Sequence, residues 1–385
     1  MFKRDLLTEI QHAAKEYPVV TITGPRQSGK TTLARTLFKK KPYVSFENID
    51  IRMQAQADSR SFLANYAEGA IFDEVQHVPE LLSYLQNIVD DAPHKGRYVI
   101  TGSQNFSLSA HIAQSLSGRV GMLTLLPLSL HELTKPPKEN NPYVRIFQGG
   151  YPALHQMKMH PLDFYPSYIQ TYLERDVRQI KNIEDLGRFH TFLKLCAGRV
   201  GQLVNFSSLA QDCGISHTTA RHWLSVLEAS YIIFFLQPFH KNFNKRMIKM
   251  PKIYFYDTGL VCTLLGLEKS SQLETHYLKG GLYENSVILE LLKSRLNQGL
   301  PPHLYFWRDQ TGHEVDCIAE WGGSLHAIEI KSNATFHPDF IKDIRYFCEL
   351  AQEKTQSYVV YNGPNAHTFQ NTKLVPFRDI HTKLR

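Results

Sequence analysis

The sequence predicts an α/β protein: a parallel-sheet unit first, a mainly helical middle, and a second α/β unit at the end. Three observations carry this. Up to about residue 135, short apolar runs alternate with polar, helix-like stretches. From about 160 to 235 the pattern is mainly helical. From about 280 onward a long helix-like segment leads into several strand-like runs. The expected units are 1–135, 136–270 and 271–385, with the Pro-rich stretch TKPPKENNPY at Thr134 to Tyr143 as the first linker.

In the first unit the runs PVVTIT, YVSF, AIF, RYVIT and GMLTLL read as buried strands with helices between them. The segment GPRQSGKT, Gly24 to Thr31, directly follows the first run and precedes the helix-like TTLARTLFKK. It matches GxxxxGK[ST] in the strand–loop–helix context that a P-loop requires. Its glycines let the backbone wrap phosphates at a helix N-terminus. ATP is therefore the expected ligand of Gly24, Pro25, Arg26, Gln27, Ser28, Gly29, Lys30, Thr31 and Thr32. Lys30 is expected on the β- and γ-phosphates, and the Thr31 hydroxyl on Mg²⁺. The acids ending AIFDE complete the pattern: Asp73 for the Mg²⁺ shell and Glu74 as general base. After the strand ending at Thr101, Ser103, or Gln104 after it, supplies a polar group between γ-phosphate and water.

The middle carries a helix-turn-helix pattern. FSSLAQDCGIS, from Phe206, has its turn at Gly214, and Ala220, Trp223, Leu224 and Leu227 then recur at helical spacing. Two strand-like runs follow, Tyr231–Leu236 and Lys252–Tyr256, flanking the basic HKNFNKRMIKMPK. This looks like a winged helix. Thr218, Thr219, Arg221 and His222 are the candidate DNA contacts, with Lys241, Lys245, Arg246 and Lys249 on phosphates. A nucleotide lid is the competing reading of the same pattern.

In the last unit, Glu284 is expected on an amphipathic helix, GLYENSVILELLKSRL, Asp316 in HEVD enters a strand, and Glu329 and Lys331 alternate on the next. Residues two apart on a strand share a face. A helix-borne acid, a hairpin Asp and ExK form a restriction-endonuclease-like constellation. Glu284, Asp316 and Glu329 are candidate metal ligands, and Lys331 a candidate stabiliser of phosphorane charge. Trp307, Arg308 and Asp309 are candidate backbone-phosphate contacts.

Taken together, GPRQSGKTTLAR, IFDEVQHVPEL, YVITGSQ and SLSGRVGMLTLLPLSLHEL resemble the prokaryotic AAA+ ATPases with a C-terminal restriction-endonuclease-like domain. The resemblance runs over almost the whole chain. It implies a sensor role for Ser103 and points to Arg119 as an arginine finger or sensor, with Arg175 as a rival. A finger acting in trans requires a homo-oligomer.

Bulk composition agrees. A length of 385 residues suits two or three domains at roughly 100–200 residues each. The formal charge of +7 favours a polyanionic partner such as DNA. Cys196, Cys213, Cys262, Cys317 and Cys348 form no CxxC, which argues against a disulfide framework or zinc site and fits a reducing cytosol. The charged N-terminus has no signal-peptide core, and YIIFFL is too short to span a bilayer, so a cytoplasmic protein without a membrane anchor is expected. The functional expectation is an ATP-hydrolysing protein acting on DNA, with an attached metal-dependent nuclease. The alternative is a nucleotide-switched signalling or scaffold protein with an inert C-terminal module.

Overall fold

A computed structural model describes residues 2–91, 94–103, 112, 115–133, 141–173, 185–240 and 249–384. The chain forms two compact units. Unit 1 comprises Met1–Leu128 together with two later returns of the chain, Ala229–Tyr231 and Leu296–Leu300. Unit 2 comprises Ser129–Glu228, Ile232–Arg295 and Pro301–Arg385.

Unit 1 contains α1 (Leu7–Glu16), β1 (Val19–Thr23), α2 (Lys30–Leu37), β2 (Tyr43–Ser45), α3 (Ile49–Ala57), α4 (Ser59–Ala64), β3 (Ile71–Asp73), α5 (Leu81–Asp91), β4 (Tyr98–Gly102) and β5 (Val120–Thr124). The strands form the expected parallel sheet in the order β2-β3-β4-β1-β5. Successive residues of a strand face opposite sides, and here both sides are covered. Val20, Ile22, Ile71 and Val99 pack with Leu6, just before α1, and with Ile10 and Leu33 from α1 and α2. Val19, Phe72, Tyr98 and Ile100 pack with Ala55, Phe62, Leu63, Leu81 and Leu85 from α3, α4 and α5. Burial on both faces explains why these strands read as continuous apolar runs.

Unit 2 begins with α6 (Pro142–Gln148), α7 (Pro152–Gln156), α8 (Pro161–Tyr168), α9 (Leu186–Ala197), α10 (Phe206–Cys213) and α11 (His217–Ala229). Asn205 caps α10 by accepting from the Ser207 and Ser208 amides, and Gly214 ends it at φ +67°. Ser216 Oγ then accepts from the Thr219 amide at 3.0 Å to start α11. Trp223 of α11 meets Phe189 and Phe192 of α9 edge-on, with ring centroids 5.3 and 5.2 Å away.

The chain continues as β6 (Ile233–Pro238), β7 (Lys252–Phe255), α12 (Thr258–Leu264), α13 (Lys279–Leu296), β8 (Leu304–Arg308), β9 (Glu314–Trp321), β10 (Ser324–Lys331), α14 (Lys342–Ala351), β11 (Thr355–Tyr361), β12 (His367–Phe369), β13 (Thr372–Pro376) and α15 (Ile380–Lys383). The two strands after α11 are an antiparallel pair, as expected, but they also join the C-terminal sheet. β6 pairs with β8, giving eight strands in the order β12-β13-β11-β10-β9-β8-β6-β7. Ile344 and Phe347 of α14 pack on Trp307, Ile318, Ala327 and Val359 of this sheet.

One expectation is corrected here. α13 is not amphipathic: every residue from Asn285 to Lys293 is buried. A helix enclosed on all sides carries no polar stripe, so its acids, Glu284 included, face protein rather than solvent.

Candidate active site

The P-loop is built where β1 ends. Gly24 has φ +139°, and a Cβ there would lie 2.2 Å from the Leu125 carbonyl oxygen, so only glycine fits. Gln27 and Gly29 also take positive φ, 61° and 96°, which turns the chain into α2. The first turn of α2 contains no acid, leaving its positive dipole end uncompensated. Lys30 is buried, and its Nζ donates to the Gly24 and Pro25 carbonyls at 2.9 and 2.8 Å. The buried Ser28 hydroxyl has no hydrogen-bond partner among the described residues. A loop with an ammonium folded onto its own carbonyls and an orphaned hydroxyl fits a phosphate ligand.

Asp73 and Glu74 stand at the end of β3, beside the loop. Thr31 Oγ1 donates to Asp73 Oδ1 at 2.8 Å. A hydroxyl against a carboxylate supplies the hard oxygen donors that Mg²⁺ prefers, so these residues fit that ion. Asp73 also accepts from the Tyr43 hydroxyl at 2.7 Å and from the Thr101 hydroxyl. Glu74 adopts a left-handed backbone, φ 57°, and its amide donates to Thr101 Oγ1 at 3.3 Å. Its carboxylate accepts from Ser103 Oγ at 3.0 Å and from the Gln76 amide. Burial pushes the Glu74 carboxyl up, but Lys30, Gln76, Arg26 and Ser103 outweigh it and hold it below the ordinary 4.5. Glu74 is therefore ionised at neutral pH.

Sequence reasoning missed the support behind the loop. The buried Arg4 guanidinium donates to the Ser28 carbonyl at 2.7 Å and the Leu126 carbonyl at 2.5 Å. Tyr231, on one of the late returns to unit 1, donates to Thr23 Oγ1 at 3.0 Å. No local motif marks these residues, because their partners lie 24 to 208 positions away.

Arg119 lies at the far end of β5 from the P-loop. It immediately precedes β5, whose Val120 aligns with Val19 at the start of β1, whereas the P-loop follows the end of β1. Its guanidinium pairs with Asp90. Five parallel residues at about 3.3 Å each separate it from the loop. Gln104 and Arg175 fall outside the described residues.

In unit 2, Thr218 and Arg221 are exposed near the start of α11 and Thr219 is half-buried. Both threonine hydroxyls hydrogen-bond Ser216 Oγ, and Arg221 lies 5.9 Å over the Phe206 ring. His222 is half-buried and Lys249 exposed. Lys241, Lys245 and Arg246 lie outside the described residues.

The acidic constellation is brought together, with an unforeseen lysine among its members. Lys252 of β7 pairs with Glu284 Oε1 at 2.9 Å and Glu314 Oε1 at 2.5 Å. Tyr254 also donates to Glu284 Oε1. Asp316 Oδ2 accepts from the Ile330 amide at 2.7 Å, and Lys331 pairs with Glu329 Oε1 at 2.5 Å. Burial raises the carboxyls of Glu284, to about 7, and of Asp316, and raises Glu329 well above the ordinary range. Among the described residues no three His, Cys, Asp or Glu are arranged to hold a metal ion. Glu284, Asp316 and Glu329 come together, but in this arrangement Glu284 Oε1, Asp316 Oδ2 and Glu329 Oε1 are taken by two lysines, a tyrosine and a backbone amide.

The phosphate-contact expectation at Trp307–Asp309 is also corrected. Trp307 is core, Arg308 pairs with Glu314 at 3.0 Å, and Asp309 accepts from the Thr311 and His313 amides to close a turn.

Residues 16–134 match the family model of an AAA domain. Residues 143–271 and 279–380 match two domains of unknown function, DUF8612 and DUF4143. Fold, site and match define an AAA-type P-loop ATPase domain in unit 1. The chain is 32% identical over 385 residues to the uncharacterised proteins Rv2008c of Mycobacterium tuberculosis and Mb2031c of Mycobacterium bovis, over 99% of its own length and 85% of theirs. It belongs to their family. Among solved structures it is similar to a Walker-type ATPase of Pyrococcus abyssi, at 16% identity and TM-score 0.49, over 69% of this chain and 96% of that one. AMPPCP-bound DnaA of Aquifex aeolicus matches at 15% identity and TM-score 0.31, over 58% and 86%.

Proposed function

We propose that this chain is a cytoplasmic AAA protein that hydrolyses ATP and uses the cycle to act on DNA. The observation that carries this reading is the convergence of Lys30, Thr31–Asp73 and Glu74–Ser103 at one edge of a parallel sheet. In this reading, Gly24 to Thr32 cradle the phosphates through backbone N–H groups. Lys30 exchanges its loop carbonyls for phosphate oxygens. Thr31 and Asp73 would hold Mg²⁺, whose charge offsets that developing on the β- and γ-phosphates. Glu74, already ionised, accepts the proton of the attacking water, and Ser103 fixes its orientation. Arg119 keeps one role, as a finger in trans on a neighbouring copy, which requires a homo-oligomer. In that case Arg119→Ala mixed with Glu74→Gln restores turnover that neither variant shows alone.

The DNA-contacting part is proposed as a winged helix within 136–270, built from α10, α11 and the β6–β7 pair. Thr218, Thr219 and Arg221 would face the duplex, and Lys245 and Arg246 would bind phosphates. The support is the exposure of Thr218 and Arg221 and the net charge of +7. DNA cleavage by the nuclease-like section, 271–385, is left out of this reading because its carboxylates are paired with lysines. The test is ATP turnover measured with and without duplex DNA on one preparation. Turnover stimulated by DNA, retained ATP binding without turnover in Glu74→Gln, and weakened DNA affinity in Arg221→Ala are expected. A wild type that binds ATP and never turns it over would sink the reading and favour the nucleotide-switched alternative.

A further inference from the structure

The acidic cluster of unit 2 contains four carboxyls, from Glu284, Glu314, Asp316 and Glu329, and two ammonium groups, from Lys252 and Lys331. Lys331 was expected there as part of ExK. Lys252 comes from a different part of the chain, β7, the second strand after α11. Its side chain is 3% exposed, runs past the Phe306 ring, and bridges Glu284 on α13 to Glu314 on β9.

The backbone beneath Lys252 is pinned from two sides. Asn285, next to Glu284, accepts from the Phe255 amide at 2.8 Å and donates to the Phe255 carbonyl at 2.9 Å. On the other side, the Gly201 amide donates to Ile253 O at 2.9 Å and the Val204 amide to Pro251 O at 2.9 Å. Gly281 lets that segment approach α13, since a Cβ there would lie 2.5 Å from the Val200 carbonyl oxygen. Glu329 Oε2 is buried and has no hydrogen-bond partner among the described residues. These acids sit where a divalent cation is implied by the restriction-endonuclease resemblance, and as arranged they do not fit one.

We propose that Lys252 is a resident counter-ion that takes the cation's place in this carboxylate cluster, so that in this conformation the cluster excludes divalent metal. The chemistry is simple competition. An ammonium within 3 Å of two carboxylates satisfies their charge, and a hard dication must displace it and strip its own water to enter. The inference does not depend on ATP hydrolysis and concerns only residues of unit 2.

The test is Mn²⁺ titration of the full chain without nucleotide, read by the electron paramagnetic resonance signal of free Mn²⁺. Wild type and Asp316→Asn are expected to take up Mn²⁺ alike. Lys252→Met, which keeps the side-chain volume and removes the charge, is expected to bind about one further Mn²⁺ per chain. Adding Asp316→Asn to Lys252→Met should remove that gain. Thermal melting checks that each variant is folded. Loss of Mn²⁺ uptake in the single Asp316→Asn variant would overturn the proposal, because the wild-type cluster would then already hold metal. So would a folded Lys252→Met variant with wild-type uptake. If Lys252→Met does not fold, the comparison of wild type with Asp316→Asn still decides.

Discussion

Glu74 holds a left-handed backbone at φ 57°, a conformation that costs a non-glycine residue on the order of 1–3 kcal/mol. The strain is held by the Thr101 contact to its amide and by Ser103 and Gln76 on its carboxylate. Replacing Glu74 by Gln preserves the shape and removes the base, so ATP turnover is expected to fall by about 10²–10⁴-fold while equilibrium ATP binding survives. Behind the loop, Arg4→Met removes a charged donor from two buried carbonyls. A loss of roughly 1.5–3 kcal/mol in a denaturant titration is expected, together with weaker ATP binding. Unchanged ATP affinity in a destabilised Arg4→Met would limit Arg4 to a structural role. The motif residues were legible in sequence because the P-loop and the acidic pair are each contiguous. Arg4, Tyr43, Thr101 and Lys252 were not, because their meaning comes from partners at least 24 positions away.

At the scale of elements, the strands of unit 1 were legible because burial on both faces leaves continuous apolar runs. The helices α10 and α11 were legible for a different reason: Gly214 and the Ala220, Trp223, Leu224, Leu227 spacing are local signals. Trp223 is the centre of that element, and Trp223→Ala is expected to cost about 3–5 kcal/mol by leaving a cavity against Phe189 and Phe192. Arg221→Ala, on the exposed side of the same helix, is expected to leave the melting temperature within about 2 °C of wild type. Only the second variant is informative about ligands. The misreading of α13 has a plain cause. Lys, Glu and Asn inside a helix suggest a wet face, yet Asn285, Glu290 and Lys293 are all buried and each is hydrogen-bonded within unit 2. A buried helix with internally satisfied polar groups resembles an amphipathic one until its partners are known.

For the whole molecule, net charge sets the expected physics of encounter. At +7, DNA affinity should fall steeply with salt, with a slope of log K against log salt near −0.9 per phosphate neutralised. A flat salt response, measured by fluorescence anisotropy on a short duplex, would argue against phosphate contacts. Among the described residues, no helix is long and apolar enough to cross a membrane. Composition gave no sign that the sheet of the C-terminal section would recruit the strands following α11. Pairing between residues 68 positions apart, Gln237 with Tyr305 and Pro238 with Phe306, leaves no trace in local pattern.

The two late returns of the chain to unit 1 bear on how the protein is made. Its nucleotide-binding strand is complete at Thr23, yet pieces of the same unit arrive at Ala229–Tyr231 and Leu296–Leu300. A ribosome adding about 5–20 residues per second needs roughly 14–55 s to pass from Thr23 to Leu300. Throughout that interval the nascent ATPase unit lacks segments that belong to its finished form. Completion of the site is therefore tied to synthesis of most of the polypeptide, and a truncated product ending before Tyr231 would carry the whole P-loop motif without the hydroxyl that Thr23 accepts.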